Sequence, residues 1–213
     1  VATVAWVTMQ SYAPTFAGTG FPSQDQRLGF APDGRAGYKV YEPRALPPVQ
    51  TDMPVTRLDR PIALPFAFPF FGRHYRAITL GPYGSVGFDG QPAPASMAFA
   101  NGLRPGIFPL LVTAPPEGTD LTVNAQRQRF VITRRDRCAA HSSPGCHTIQ
   151  TTLFADGRIE IAYLDTPATY MFNSLDPISA PWLTGITPGA GAGPAKALIH
   201  DNYREYLTHL DRI

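Results

Sequence analysis

The residue types best suited to chemistry crowd into one short stretch. Within CAAHSSPGCH, residues 138–147, Cys138, His141, Cys146 and His147 offer four potential metal ligands in ten residues. Zinc would need all four to converge on one tetrahedral point. Their spacing fits no common zinc pattern, and neighbours such as Cys146 and His147 point to opposite faces if they lie on a strand. The haem attachment pattern Cys-x-x-Cys-His is also missing. The reading that fits is a disulfide between Cys138 and Cys146, closing a short loop around Pro144 and Gly145, with both histidines on the surface and no metal. So local a bridge stabilises by about 2–3 kcal/mol in the entropy account. It implies an oxidising compartment: extracellular, cell-surface or periplasmic.

Acids and bases for hydrolysis are present but unorganised. Asp156, Glu160 and Asp165 surround one predicted hairpin. Asp156 is explained as a turn residue, and Glu160, between Ile159 and Ile161, points outward. Glycosidase chemistry needs two carboxyl groups facing each other across a cleft, and this spacing brings no such pair together. Gly-x-Ser-x-Gly and the phosphate loop do not occur, and GAGAG at 189–193 lacks the rest of a dinucleotide fingerprint. His74, beside a run of phenylalanines, reads as a partly buried hydrogen-bonder rather than a base. Asp59, Asp89, Asp120 and Asp176 lie beside turns, so calcium stays open, although no spaced Asp-x-Asp loop supports it. The expectation is no catalytic residue and no cofactor.

The elements that would position these residues are mostly strands. Pro 23 and Gly 19 together approach a fifth of the 213 residues, while 44% are hydrophobic. The usual Gly plus Pro share is about 12%. Many turns and short strands around a real core follow, because Pro or Gly interrupts nearly every window long enough for several helical turns. The formal net charge is only +2, and no basic stripe interleaved with aromatics appears, so nucleic acid is not an expected partner. The densest basic cluster, Arg127, Arg129, Arg134, Arg135 and Arg137, reads as a strand with a solvated face and charged ends.

The chain is organised around Ile62 to Gly90. Leu64, Phe66, Phe68 and Phe70 alternate with Pro65, Ala67 and Pro69, the period of a strand buried on one face. Two prolines cannot donate to a ladder, so this is an edge strand or an extended arm, packed through its rings. Gly72 permits a turn, and Gly81, Pro82, Gly84 and Gly87 mark a bend or bulge where another backbone comes close. This run resembles the LPF-x-FPF-[YF]-G signature of nidogen-like β-sandwich modules in secreted and surface proteins of bacteria and archaea. Leu64, Pro65, Phe66, Phe68, Pro69, Phe70, Phe71, Gly72, Tyr75, Gly84 and Phe88 carry the match. The chain departs from the pattern at Val112, Thr113 and Ala114, where many relatives have a Trp-Asp type cluster. The resemblance implies an antiparallel β-sandwich, jelly-roll-like, in an exported structural or adhesive protein.

The remaining segments follow from local signals. Pro32-Asp33-Gly34 joins Leu28–Phe30 to Tyr38–Tyr41 as a hairpin, and Pro47-Pro48 make a stiff joint. Ile107 to Val112 reads as a strand covered on both faces. Strands are also expected at 121–125, 129–133 and 182–187. Asp156-Gly157 is the clearest hairpin turn, with Ile149, Thr151 and Leu153 on one face opposite Ile159, Ile161 and Tyr163. Residues 195–213 are expected to be a short helix or linker. The expected division is 1–48, an N-terminal strand and wrapping arm; 49–194, the sandwich; and 195–213.

The functional expectation is a non-catalytic module of protein–protein or surface assembly, such as a filament or surface layer. Assembly contacts are expected at Val1, Val4, Trp6 and Val7 in the apolar opening run, and at Tyr170, Phe172 and Trp182 in a late aromatic loop. Two alternatives stay open. One is a periplasmic accessory subunit tethered by a membrane helix upstream of Val1. The other is a domain that binds a glycan or acts on one.

Overall fold

Alternation along each strand decides which side chains meet in the interior. A computed structural model describes residues 26–44, 48–58, 60–90, 104–112, 118–137, 147–165, 182–189 and 198–201. The strands are β1 (Arg27–Pro32), β2 (Tyr38–Tyr41), β3 (Met53–Pro54), β4 (Ile62–Phe70), β5 (Arg73–Leu80), β6 (Val86–Gly87) and β7 (Pro105–Val112). They continue with β8 (Gly118–Gln126), β9 (Arg129–Arg137), β10 (Thr148–Phe154), β11 (Ile159–Asp165), β12 (Trp182–Pro188) and β13 (Leu198–Asp201).

Two antiparallel sheets form a sandwich: a seven-stranded sheet ordered β2-β1-β11-β10-β9-β8-β3 and a six-stranded sheet ordered β13-β12-β7-β6-β5-β4. The path is meander-like rather than jelly-roll-like, because β4 to β7 and β8 to β11 each lie beside their neighbours in sequence. The hairpin expected at Leu28–Tyr41 is present, and β1 continues into the larger sheet by pairing with β11. Where a C-terminal helix was expected, Leu198–Asp201 form β13, pairing with β12. The open edge of β12 gives these four residues backbone partners that a single helical turn would lack. The rest of the expected helix lies outside the described residues. No helix among them is long and apolar enough to cross a membrane.

The core is the sum of the inward-facing rows. Leu64, Phe68 and Phe70 of β4 are buried as their alternation demands, and β4 lies at a sheet edge as its prolines demand. The β4–β5 register shifts between Ala63 and Phe68, so the strand bulges around Pro65. Phe88 stacks against both Phe68 and Phe70, with ring centroids 5.9 and 4.3 Å away. Burying each such ring contributes about 1.5–3 kcal/mol. From the other sheet come Leu28, Phe30, Ile149, Leu153, Ile159 and Ile161, all buried. The whole of 105–110 in β7 is buried, as expected for a central strand.

One end of the sandwich is closed by tight turns. Tyr38 donates its hydroxyl hydrogen toward the carbonyls of Pro69 (3.0 Å) and Gly157 (2.9 Å), tying the β1–β2 hairpin to the β4–β5 and β10–β11 hairpins. Gly157 has φ +90°, and a Cβ there would lie 2.9 Å from Pro32 and 3.0 Å from Pro69. Only glycine fits this crossing without strain.

Beyond β2 the chain crosses the outer face of the larger sheet to reach β3 at the opposite edge. Gln150 holds it by mimicking a strand. Its side-chain amide accepts from Val49 N–H (2.8 Å) and donates to Val49 C=O (2.7 Å). Thr51 adds 2.7 Å hydroxyl contacts to Thr122 and Thr133.

Candidate functional site

The ionisable groups drawn into the interior lie on β9 and at the start of β10. Phe130, Ile132, Arg134 and Asp136 share one face of β9 by strand alternation, and that face looks toward the other sheet. Arg134 is 2% exposed, which corrects the reading of its cluster as a solvated face. The cluster is split three ways: Arg127 is exposed at the β8–β9 turn, Arg134 is interior, and Arg135 and Arg137 are exposed at the far end of β9.

Every nitrogen of the Arg134 guanidinium is engaged. Nε and Nη2 donate to Oδ1 and Oδ2 of Asp136, both at 2.7 Å, a bidentate pair with 2% and 0% side-chain exposure. Nη1 donates to the carbonyls of Leu110 (2.7 Å) and Tyr83 (3.0 Å). Asp136 Oδ1 also accepts from the Thr119 hydroxyl at 3.0 Å. The Gly81–Ser85 turn wraps the Arg134 stem. Gly84, at φ +72°, would place a Cβ 3.4 Å from Arg134 Cβ, and the Tyr83 ring centroid is 5.8 Å from the guanidinium carbon. Where the approach of another backbone was expected, the neighbours of Gly84 are side chains, those of Arg134 and Leu121.

His147 stands beside this pair. Its carbonyl accepts from Asp136 N–H at 2.9 Å, and its ring is buried with 2% exposure. The expectation of a surface histidine is overturned because His147 has the same parity as Ile149, Thr151 and Leu153, the inward row of β10. Burial, reinforced by the positive charge of Arg134, lowers its pKa to about 3, so the ring is neutral. Burial raises the Asp136 carboxyl above its ordinary value, and the hydrogen bonds and charge of Arg134 oppose that rise.

Tyr163, on β11, completes the arrangement. Its hydroxyl donates to the Pro109 carbonyl at 2.8 Å and lies 2.8 Å from Thr184 Oγ1. Thr184 Oγ1 in turn reaches the Phe108 and Pro109 carbonyls at 3.2 and 2.9 Å. These carbonyls are free for a reason. The β7–β12 register shifts between Leu183 and Gly185, so β7 bulges at Pro109, which has no N–H to offer a ladder. Buried carbonyls must find donors, and Arg134, Tyr163 and Thr184 supply them. Chemically, the arrangement is a clamp on backbone: its donors are committed to fixed acceptors rather than aimed at an open cavity.

The other residues singled out from sequence are dispersed. Asp156 accepts from Arg158 N–H (3.1 Å) and Nε (2.8 Å), as a turn residue should. Glu160 faces outward and accepts from the Tyr41 hydroxyl at 2.8 Å. His74 is exposed opposite Pro69, not partly buried, since it alternates with Tyr75 and points away from the phenylalanines. Asp89 and Asp120 are exposed, and no three His, Cys, Asp or Glu among the described residues gather as a metal site. Cys138, His141, Cys146, Val1, Val4, Trp6, Val7, Tyr170, Phe172, Asp59 and Asp176 lie outside the described residues. For Trp182 only the backbone of β12 is described.

No protein-family model, no curated protein and no solved structure matches this chain. The likeness to nidogen-like modules therefore rests on the sequence motif from Leu64 to Phe88 alone.

Proposed function

We propose that this chain is a non-catalytic structural module of an exported surface assembly, joining a protein partner or copies of itself. The observation that carries the reading is the use made of the interior charges. Arg134, held by Asp136, pins the carbonyls of Leu110 and Tyr83, which is the work of a scaffold.

The sheet edges also support it. β3 has two residues and ends in Pro54, while β4 carries Pro65, Pro69 and a bulge. Such edges resist casual strand addition. Association then runs through segments that leave the sandwich. Connections 113–117, 138–146 and 166–181 all start and finish at the end opposite the tight turns. Loops on a rigid frame are the usual carriers of recognition.

Light scattering after size exclusion tests the proposal. The full chain is expected to form a defined oligomer, and deletion of residues 1–9 to leave a folded monomer with unchanged circular dichroism. An oligomer that survives the deletion, or a full chain that stays monomeric at high concentration, would falsify self-assembly through this segment.

A further inference from the structure

Hairpins β8–β9, β10–β11 and β1–β2 are neighbours in the strand order, so their turns at 127–128, 155–157 and 33–37 stand in a row. Each hairpin is two strands wide. Adjacent turns are therefore about 10 Å apart and the row about 20 Å long. The line is fixed rather than floppy. Ala155 N–H donates to Gln128 C=O at 2.9 Å, and Tyr38 bonds the Gly157 carbonyl. The β4–β5 turn abuts it, since a Cβ on Gly72 would lie 2.9 Å from Ala36 Cβ.

This row concentrates positive charge in a chain whose formal net charge is only +2. The turns and their flanks carry Arg35, Arg127, Arg129, Arg158 and, from the abutting turn, Arg73, against Asp33, Asp156 and Glu160, whose carboxylate lies 3.9 Å from Arg158. Both aspartates are consumed locally. Asp33 Oδ1 accepts from Arg35 N–H (2.7 Å) and Gly37 N–H (2.9 Å), and Asp156 binds Arg158. Arg158 sits over Phe154, its guanidinium carbon 4.5 Å from the ring centroid. Arg35, Arg73 and Arg127 are exposed.

We propose that this row is a docking edge for a linear polyanion of the acidic-polysaccharide class. Guanidinium groups match carboxylates bidentately. Arginine-bearing turns repeated at about 10 Å along a rigid edge suit a stiff chain with regularly spaced carboxylates. A nucleic-acid strand would want open aromatic platforms, and here Tyr38, Phe70 and Phe71 are buried while Phe154 is capped by Arg158. The assignment does not depend on the assembly reading, and either can fail without the other.

The experiment measures retention on immobilised polygalacturonate, with neutral dextran as the reference surface. The intact chain is expected to bind at low salt and to be released as salt rises. The Arg35→Glu/Arg127→Glu variant, altered only at exposed turn positions, is expected to bind about tenfold or more weakly, because two attractions become repulsions. Arg76→Glu, midway along β5, is expected to bind like the parent. Four results would each overturn the assignment: no retention at low salt, equal retention on dextran, unchanged binding by the double variant, or preference for polyglutamate or single-stranded DNA over polygalacturonate.

Discussion

Arg134 and Tyr163 flank Ile149 in one cross-strand row, and from there both cross the interior to adjacent carbonyls of β7, Leu110 and Pro109. One row of the larger sheet thus reaches the place where β7 shifts register against β12. The bulge and the clamp explain each other. Without the bulge these carbonyls would have ladder partners, and without the clamp they would be buried with none.

Removing either partner of the ion pair should therefore be costly. Arg134→Met leaves a buried carboxylate and two carbonyls without their donor, and is expected to lose about 3–5 kcal/mol in urea denaturation. The Arg134→Met/Asp136→Asn double variant should lose less than the two single changes added together, because neither leaves an uncompensated charge behind. Additive losses would show that the pair is not coupled.

His147 gives a pH signature with a definite sign. Its folded-state value is about 3, whereas an unfolded imidazole takes its proton near 6.5. Between those values the unfolded chain binds the extra proton. The stabilisation is fully present above pH ~6.5 and falls by up to about 1.4 kcal/mol per unit as the pH drops, levelling off near the lower value. Asp136, whose carboxyl burial lifts, acts in the opposite sense at the acid end, so the comparison must be made between variants. His147→Leu should flatten the slope of stability between pH 4 and 6 by about one proton; an unaltered slope would contradict a neutral buried ring.

The closed end is expected to be equally sensitive. Tyr38→Phe removes one hydroxyl that serves two hairpins and should cost about 1–3 kcal/mol. Gly157→Ala combines φ +90° with contacts of 2.9 and 3.0 Å to Pro32 and Pro69, and about 1–3 kcal/mol from backbone strain alone is expected. Thermal unfolding followed by circular dichroism checks both. A Gly157→Ala protein as stable as its parent would show that the turn can move aside.

Much of the fold was legible because its signals are local. Leu64, Phe68 and Phe70 announce a one-sided strand by period, Pro65 and Pro69 announce an edge by their missing donors, and Asp156-Gly157 announces a turn. The clamp was not legible in the same way. Charged residues read as solvent-facing unless something distant satisfies them, and what satisfies Arg134 lies in the Gly81–Ser85 turn and in β7. One signal could have found it. Arg134 and Asp136 continue the parity of Phe130 and Ile132, and His147 that of Ile149 and Leu153, so alternation alone places all three inside. The β7 bulge that requires them has only Pro109 as its mark, within an otherwise uniform apolar run.

The pairing of β1 with β11 carries a consequence for synthesis. Arg27 to Phe30 find their partners at Ile159 to Ala162, near the other end of the described chain. On a ribosome the β1–β2 hairpin emerges well before its partners, and Leu28 and Phe30 have nowhere to bury until β10 and β11 have followed. The chain must carry that unsatisfied apolar hairpin until Ile159 to Ala162 have been made. Folding should therefore be slow and late, governed by long-range closure rather than by its well-formed turns.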